Sequence, residues 1–176
     1  MNAIVLRQIP VTPAWPESKT YAINHVAYDM YSRVVFQSRS AFWEKDGISP
    51  NWEGADPTLS EMWRMAEEVK TERAVLVGTA VNSASADDSL QAFRKIYPGK
   101  SEDIEQALIH TWANEPWAMA CETVTYAPGE LKKMWPSIME PVGRVHFAGA
   151  YTDNLNWGQE AATRSANRVA HAIDGA

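Results

Sequence analysis

Cysteine is almost absent from the sequence, long apolar runs are missing, and positive charge is in deficit; each shortage excludes a class of protein. The single Cys121 excludes an internal disulfide and favours a cytoplasmic location while leaving the compartment open. No apolar run reaches membrane-spanning length, and no basic segment followed by an apolar one occupies the amino terminus, so we expect neither a membrane anchor nor a signal peptide. The net charge of −6 argues against nucleic acid as a partner.

Signatures of metal binding and of nucleophilic catalysis are also missing. The four histidines are scattered and show no metal-ligand spacing. No serine or cysteine forms a recognisable pair with a histidine. We therefore predict no metal site and no Ser–His or Cys–His nucleophile.

The residues that are present predict a mixed α/β fold with a real core, since 45% of the 176 residues are hydrophobic. Segments rich in β-branched and aromatic residues are strand candidates. They are Tyr31–Ser38, Ala74–Ala80 and Leu108–Trp112. Asp87–Ser89 offers a helix N-cap, and Pro98–Gly99 would end that helix.

Other segments give weaker patterns. The prolines at positions 10, 13 and 16 favour an extended amino-terminal segment with no core of its own. We expect Phe42 and Trp43 to end the first strand. Leu59–Val69 fits a helical turn or an irregular excursion, and Glu102–Ala107 fits a helix or a loop.

The most informative stretch runs from Gly143 to Ala172. It predicts a short strand through Val145 and Phe147, a turn at Gly149, and a helix that begins near Trp157–Gly158. Small residues recur along that helix at three- and four-residue spacing, so its backbone can pack closely against a neighbour. They are Ala161, Ala162, Ser165, Ala166, Val169 and Ala170, followed by Ile173. Free N–H groups at such a helix start bind phosphates or carbonyl-rich rings, although such corners are also common as purely structural features.

The segment Arg144–Gly149, with Thr152 and the run from Trp157 to Ala170, resembles the carboxy-terminal flavin-binding signature of the flavin-dependent amine oxidases, the family of monoamine oxidases and L-amino-acid oxidases. That signature reads R-V-H-F-A-G-E-x-T, then W-x-x-G-A-x-x-S-G-x-R-A-A. The resemblance covers nearly the whole chain and implies FAD as the cofactor. It also implies that residues 1–140 contribute the sheet of a substrate-binding domain, and residues 141–176 the last strand, turn and helix of an FAD-binding domain.

The other half of such an enzyme has no counterpart in the sequence. The family's amino-terminal G-x-G-x-x-G segment lets the pyrophosphate approach a helix N-terminus, and nothing here matches it. The chain resembles about the last two-fifths of such an enzyme, so its fold would be incomplete without a partner chain. From Met1 and an end soon after the signature helix, we expect a separately encoded or proteolytically separated small subunit of a hetero-oligomer. An expression fragment is the alternative.

The resemblance also implies a reaction. A neutral amine or amino acid would lose hydride from its α-carbon to flavin N5, the imine would hydrolyse to a carbonyl and ammonia, and oxygen would reoxidise the flavin with release of hydrogen peroxide. Two alternatives stay open. One is a non-catalytic structural subunit of such a complex, and the other is a flavin amine dehydrogenase that passes electrons to a carrier.

The resemblance assigns cofactor contacts to two short segments and one tryptophan. Gly149, Ala150 and Tyr151 would meet the ribityl chain, although the family usually has Glu where Ala150 stands, which suggests looser binding or Asp153 as a substitute acceptor. The helix start would turn its N–H groups to flavin N1 and the C2 carbonyl. It comprises Trp157, Gly158, Gln159, Glu160 and Ala161, and Trp112 would also lie near the flavin. The structural alternatives are an ordinary turn glycine at Gly149 and a core tryptophan at Trp157.

Substrate contacts are implied for Trp117, Glu122 and Trp157. Two aromatic residues cage the substrate amine in the family, but their positions correspond here to Glu122 and Gly158, so this cage is not reproduced. Glu122 would instead pair with a cationic group of the substrate, or else be a solvent-facing residue on a strand edge. Cys121 stands where monoamine oxidases attach flavin covalently, and its alternative role is that of a small buried residue.

Arg33 is the catalytic candidate. It stands where the family commonly has a lysine that holds a water against flavin N5. Arginine keeps its charge, so it would favour an anionic reduced flavin or an oxygen-derived anion, but it cannot act as a neutral amine. The alternative is a strand residue paired with a surface carboxylate.

Overall fold

The polypeptide divides into two compact units, of which one is a single continuous stretch of sequence and the other is built from both ends of the chain. A computed structural model describes residues 1–67, 69, 71–120, 122–123 and 126–175, with only the backbone of residues 122 and 123. Met1–Asp29 with Asn114–Ala176 form one compact unit, which we call the helical unit, and Met30–Ala113 form the other, the sheet unit. The amino-terminal residues therefore pack with the carboxy-terminal part of the chain. The functional division that we expect at residue 140 stays a prediction.

The regular elements are short, apart from two helices and three strands. The α-helices in the described residues are α1 (Ala3–Leu6), α2 (Glu17–His25), α3 (Phe42–Asp46), α4 (Ala86–Ile96), α5 (Glu130–Met134) and α6 (Gly158–Asp174). The strands are β1 (Tyr28–Asp29), β2 (Tyr31–Ser38), β3 (Trp52–Glu53), β4 (Glu61–Met65), β5 (Ala74–Val81), β6 (Ile104–Thr111) and β7 (Glu122–Thr123). Single turns of 3₁₀-helix lie at Ser101–Asp103, Trp112–Asn114 and Ala150–Thr152.

An antiparallel sheet of five strands, in the order β3-β4-β5-β2-β6, organises the sheet unit. Side chains of β2 alternate between partly exposed and buried, which is the pattern of a sheet with one covered face. Helix α4 covers that face, because Phe93 lies 5.2 Å from the Phe36 ring and both are fully buried. Ser85 and Asp88 begin the helix with a reciprocal capping box.

Segments from both ends of the chain share the core of the helical unit. Its buried residues are Ala3, Leu6, Ala22, Ile23, Val26, Met134, Ile138, Phe147 and Tyr151. The Arg7 side chain ties α1 to α2 by donating hydrogen bonds to the carbonyls of Ile23 and Val26. β1 and β7 form a separate two-stranded antiparallel ladder.

The expectation of an extended amino-terminal segment is therefore wrong, although its core is not its own but is shared with the carboxy-terminal part of the chain. Pro10 and Pro13 lie between two helices, and Pro16 is the N-cap of α2, a position where the missing N–H of proline costs nothing. The apolar residues around these prolines pack against partners more than a hundred residues away. Local pattern alone does not carry that information.

Other predictions for secondary structure divide into two groups. The strands at Tyr31–Ser38 and Ala74–Ala80 and the helix from Trp157–Gly158 are confirmed. The predicted helix after Asp87 is confirmed too, although Ser85 is its N-cap, and the strand at Leu108 begins earlier, at Ile104.

Four local expectations are wrong. Phe42 and Trp43 open α3 and pack into the core, Leu59–Val69 contains strand β4, and most of Glu102–Ala107 belongs to β6. Strands β4 and β6 carry many polar residues because one face of the sheet is open. The strand expected through Val145 and Phe147 is only a single bridge from Val142 to Val145. A strand exists only within a ladder, and no described strand runs beside residues 146–148.

Candidate functional site

The corner at Gly149 has a backbone conformation that only glycine adopts without strain. Its φ of +145° lies outside the regions open to side chains with a Cβ, and an added Cβ would lie 2.8 Å from the Tyr151 ring. The Gly149 N–H donates to Ser165 Oγ at 2.8 Å, and this hydroxyl donates to the carbonyl of Ala162 at 2.7 Å. Ser165 and Ala161 are fully buried, so helix α6 lies directly against the turn.

Helix α6 presents an uncapped N-terminus next to this corner. Trp157 is its N-cap residue, and within the described part of the chain no side chain makes a capping hydrogen bond there. Asn156 and Gly158 both have positive φ, of 66° and 81°, so the chain turns sharply into the helix. The first N–H groups of a helix lack intrahelical partners and carry the positive end of its dipole. They are ready donors to a carbonyl oxygen or an anion.

A cleft of about 580 Å³ within the helical unit joins the corner to the helix start. Its described lining side chains are all uncharged. They belong to Met1, Asn2, Tyr28, Gly149, Ala150, Tyr151, Trp157, Gly158, Gln159 and Ala162. Six of the nine residues predicted to contact the cofactor thus line one cleft. Of the remaining three, Ala161 is buried behind it, Glu160 is exposed, and Trp112 belongs to the sheet unit.

Two phenols in the cleft stay neutral at physiological pH. Burial raises the pKa of Tyr151 to about 12. Burial also raises the pKa of Tyr28, against the opposing effect of the Ala3 N–H that donates to its oxygen at 3.0 Å. Both groups therefore offer polar, uncharged atoms to a ligand. Together with the Trp157 ring they make a wall that suits a flat, partly polar molecule.

One half-buried and one buried cation hold the backbone behind the corner. The Arg168 guanidinium donates to the carbonyls of Phe147 and Thr152, each at 3.3 Å, and to that of Met139 at 3.4 Å. The Lys19 ammonium lies 3.9 Å from the centre of the Phe147 ring. These contacts join three separate segments, so the position of Gly149 depends on long-range packing as well as on its own turn.

The sheet unit carries the predicted catalytic residue on its open face. Arg33 Nη1 lies 4.0 Å from Glu61 Oε1, and its Cζ atom lies 5.1 Å from the centre of the Trp63 ring. This is the strand residue paired with a carboxylate that the sequence left as the alternative role. His110 is the register partner of Arg33 on β6, and its ring packs edge-on against Trp112 at 4.5 Å. The structure thus brings Arg33 and Trp112 to the same end of the sheet.

The tryptophans predicted to contact flavin or substrate are exposed in the folded chain. Trp117 is 79% exposed, Trp157 is 64% exposed and Trp112 is 41% exposed, whereas Trp43 is buried. Trp157 is therefore not a core residue of this chain, which was its structural alternative. Trp117 lies within a turn in which the amides of Ala118 and Met119 donate to the carbonyl of Glu115.

Two other predicted residues can be placed only in part. Glu122 lies on β7, where its backbone pairs with Asp29 of β1. Cys121, the candidate for covalent flavin attachment, lies outside the described residues. The cofactor and substrate roles of all these residues stay predictions.

Comparison with known proteins decides the family. The sequence profile of the family described as "Flavin containing amine oxidoreductase" matches residues 2–174, nearly the whole chain. The chain belongs to this family. FAD is the cofactor that membership implies, and the general chemistry of the family is oxidation of amines. The resemblance drawn from the sequence is thereby confirmed.

Relatives of this chain include several L-amino-acid oxidases. The chain is 23% identical to the L-amino-acid oxidase of Daboia siamensis over 165 residues, which cover 85% of this chain and 40% of the relative. It is 25% identical to that of Pseudechis australis over 170 residues, covering 85% and 32%. The chain therefore spans well under half the length of these relatives.

Solved structures of the family share the fold. A putrescine oxidase bound to putrescine matches with a TM-score of 0.86 and 19% identity, covering 100% of this chain and 42% of the other. Cyclohexylamine oxidase from Brevibacterium oxydans matches with a TM-score of 0.74 and 21% identity, covering 96% and 42%. The mixed α/β fold is thus that of a flavin amine oxidase, in part. No helix in the described residues has the length and apolarity needed to cross a membrane.

Sequence reasoning missed four residues of the cleft. Ala162 was predicted only as part of the small-residue face of α6, whereas Met1, Asn2 and Tyr28 line the cleft from the amino-terminal segment, which was expected to be extended. The alternation of apolar residues around α1 and α2 is too short to predict helices. Tyr28 shows one available signal, because it is an aromatic residue that closely precedes the predicted strand Tyr31–Ser38 and follows the apolar Ala27.

Proposed function

We propose that this chain supplies the carboxy-terminal part of an FAD-dependent amine or L-amino-acid oxidase, and that it works with a larger chain carrying the dinucleotide-binding half. The cleft of the helical unit is the observation that carries the proposal, because it collects six residues that the family signature assigns to the cofactor. The short span of the chain against its relatives supports the need for a partner. The proposed assembly is a hetero-oligomer in which this chain is the small subunit.

The cleft fits a flavin ring by shape and by donor chemistry. Gly149 leaves room where a Cβ would clash, and Tyr151 and Trp157 provide flat walls. The N–H groups of Gly158 and Gln159 lie at the positive end of helix α6, where they would donate to a ring carbonyl and favour negative charge on the ring. The Gly149 N–H is already used by Ser165, so it is not a donor to the cofactor.

When bound, FAD would supply the acceptor for the hydride lost from the α-carbon of an amine. The chain's own residues would orient the substrate and place charge beside it. Trp157 and Trp117 would cover the substrate, Glu122 would attract its cationic group, and Arg33 would hold a fixed positive charge near the reacting atoms. Ala150 offers no side-chain acceptor to the ribityl chain, which is consistent with looser binding than a Glu at that position would give.

The decisive experiment is purification of the untagged chain from its native source, followed by an absorption spectrum and the masses of all co-purifying chains. A flavin spectrum with a larger companion that carries G-x-G-x-x-G is the expected result. A colourless, folded chain without a companion would overturn the proposal. Acid precipitation of the coloured complex then shows whether Cys121 holds the flavin.

Two variants of the complex test the cleft itself. Trp157→Ala should weaken flavin binding about three- to tenfold, the worth of one aromatic stacking contact. Leu155→Ala is the matched control, because Leu155 is 44% exposed and two residues away but does not line the cleft. Equal flavin affinity for both variants would exclude the cleft as the flavin site.

Departures from the family signature favour a second candidate, a non-catalytic subunit that has kept the fold. Ala150, Glu122, Gly158 and Arg33 each stand where the family usually has another residue type. Unchanged turnover of the complex after Arg33→Ala and Trp117→Ala would establish that role. Turnover without hydrogen peroxide would instead identify a dehydrogenase.

A further inference from the structure

Four polar side chains form a row across the open face of the main sheet. Glu61 on β4, Thr79 on β5, Arg33 on β2 and His110 on β6 are successive register partners on neighbouring strands. Register partners present their side chains to the same face of a sheet. We call these four residues the polar row.

Glu61 is fixed within the polar row by its neighbour Thr79. The Thr79 hydroxyl donates to Glu61 Oε1 at 2.8 Å, and the Ser60 hydroxyl lies 3.1 Å from the same Thr79 oxygen. Thr79 is almost fully buried, so its hydroxyl is a rigid anchor. The carboxylate oxygen that it holds is the one that lies 4.0 Å from Arg33 Nη1.

Arg33 is held on a second side by Trp63. Trp63 lies two residues after Glu61 on β4, so both side chains project from the same face of that strand. Its ring centre lies 5.1 Å from the guanidinium carbon, within cation–π range. Two side chains of β4, the Glu61 carboxylate and the Trp63 ring, therefore restrain the Arg33 guanidinium together.

Nη1 of Arg33 is buried and makes no hydrogen bond within the described part of the chain. The distance of 4.0 Å to Glu61 makes an ion pair but is too long for a hydrogen bond. An unused, desolvated N–H is costly to a folded protein unless an acceptor reaches it.

We propose that Glu61 and Trp63 are positioning residues for Arg33, which direct its guanidinium so that Nη1 is kept for an oxygen acceptor on the ligand. The inference rests on the proposed function, because it gives Arg33 a part in the reaction. Thr79 is part of this arrangement, because its hydrogen bond keeps the Glu61 carboxylate from moving close enough to accept a hydrogen bond from Arg33 Nη1. His110 completes the row from the opposite strand.

The side-chain ¹⁵N–¹H spectrum of arginine-labelled full chain tests the positioning without any cofactor. The Arg33 Nε–H signal, assigned by its loss in Arg33→Lys, should be displaced upfield by the Trp63 ring. Glu61→Gln should reduce that displacement, and Trp63→Leu should abolish it. Glu102→Gln is the matched control, because it removes the same charge from an exposed position of the sheet unit outside the polar row, and Glu102 makes no ion pair with Arg33 among the described residues.

The backbone amide spectrum shows whether each variant is folded, and Trp63→Leu provides the second variant if Glu61→Gln is not. An Arg33 signal that stays at the wild-type position in both folded variants would overturn the positioning. The assembled complex then separates this failure from failure of the proposed function. Signals that move in Glu61→Gln while kcat and KM of the complex stay unchanged would leave Arg33 without a catalytic part and overturn the inference on that ground.

Discussion

The pH dependence of stability should report on Lys19, whose ammonium group is buried in the helical unit. Lys19 is only 3% exposed, and its Nζ donates to the carbonyls of Ile138 at 3.1 Å and Glu140 at 2.7 Å. Burial lowers its pKa to about 8, an effect that Glu140 opposes and Arg168 reinforces. A lysine in this state is a charge that the folded protein holds at a cost.

The lowered pKa of Lys19 determines both the sign and the size of the change in stability with pH. Between pH 8 and the ordinary value of 10.5, the unfolded chain carries a proton on Lys19 that the folded chain has released. The free energy of unfolding therefore rises with pH in this window. With these two pKa values, linkage gives a gain of about 2–3 kcal/mol between pH 7 and pH 10. The neutral amine still has two N–H donors for its two carbonyls, so deprotonation removes no hydrogen bond.

Urea unfolding followed by circular dichroism measures this gain. The free energy of unfolding of wild type is compared with that of Lys19→Met at pH 7 and again at pH 10. Burial raises the pKa of four tyrosines, which makes stability fall above pH 10, but these groups are common to both proteins and cancel. They are Tyr28, Tyr97, Tyr126 and Tyr151. Lys132→Met, on the exposed side of α5, is the control for loss of a charge. A wild-type advantage over Lys19→Met that is the same at both pH values would refute the reasoning.

Three further substitutions test the corner and the core by urea unfolding and amide exchange. Gly149→Ala should lower the free energy of unfolding by about 2–4 kcal/mol, because its φ is positive and the added Cβ would meet the Tyr151 ring. Gly143→Ala, which also has a positive φ but open space around it, should lower it by about 1 kcal/mol. Equal losses for the two variants would contradict the steric argument. Ser165→Ala should cost about 1–3 kcal/mol and speed exchange of the Gly149 amide at least about tenfold, because that N–H loses its acceptor; an unchanged exchange rate would show that the bond is dispensable. Phe93→Ala should cost about 3–5 kcal/mol, since its fully buried ring contacts Phe36, Phe42 and Tyr97, and a cost below about 1 kcal/mol would mean that the core of the sheet unit closes over the cavity.

The local sequence pattern was sufficient to predict a helix or strand where its apolar or small residues recur with a clear period and where a residue marks its end. Strand β2 alternates over its whole length, and α6 combines a glycine start with regularly spaced small residues, so both were predicted within a residue or two. The cleft residues of the corner followed from the signature, because backbone conformation and close packing require glycine and small residues there. Their assembly into one cleft is a consequence of α6 lying on the turn.

Elements that depend on distant partners were not predictable in the same way. Helices α1 and α2 form because their apolar residues meet Met134, Ile138 and Phe147, which follow more than a hundred residues later. The pairing of Arg33 with Glu61 depends on the order of three strands, which no spacing in the sequence specifies. Side chains contributed by tertiary contacts, such as Tyr28 in the cleft, were missed for the same reason.

The exposed tryptophans and the outer part of α6 point to the same conclusion about assembly. Trp112, Trp117 and Trp157 are exposed, although aromatic rings of this size supply much of the apolar area that proteins bury. Helix α6 buries Ala161 and Ser165, whereas Ala166, Ala170 and Ile173 of the same small-residue series face solvent. The larger chain and the flavin proposed above would bury both the exposed small-residue face of α6 and the exposed tryptophan rings. Stability of this chain should therefore rise on assembly, since any partner that binds only the folded form shifts the unfolding equilibrium toward it.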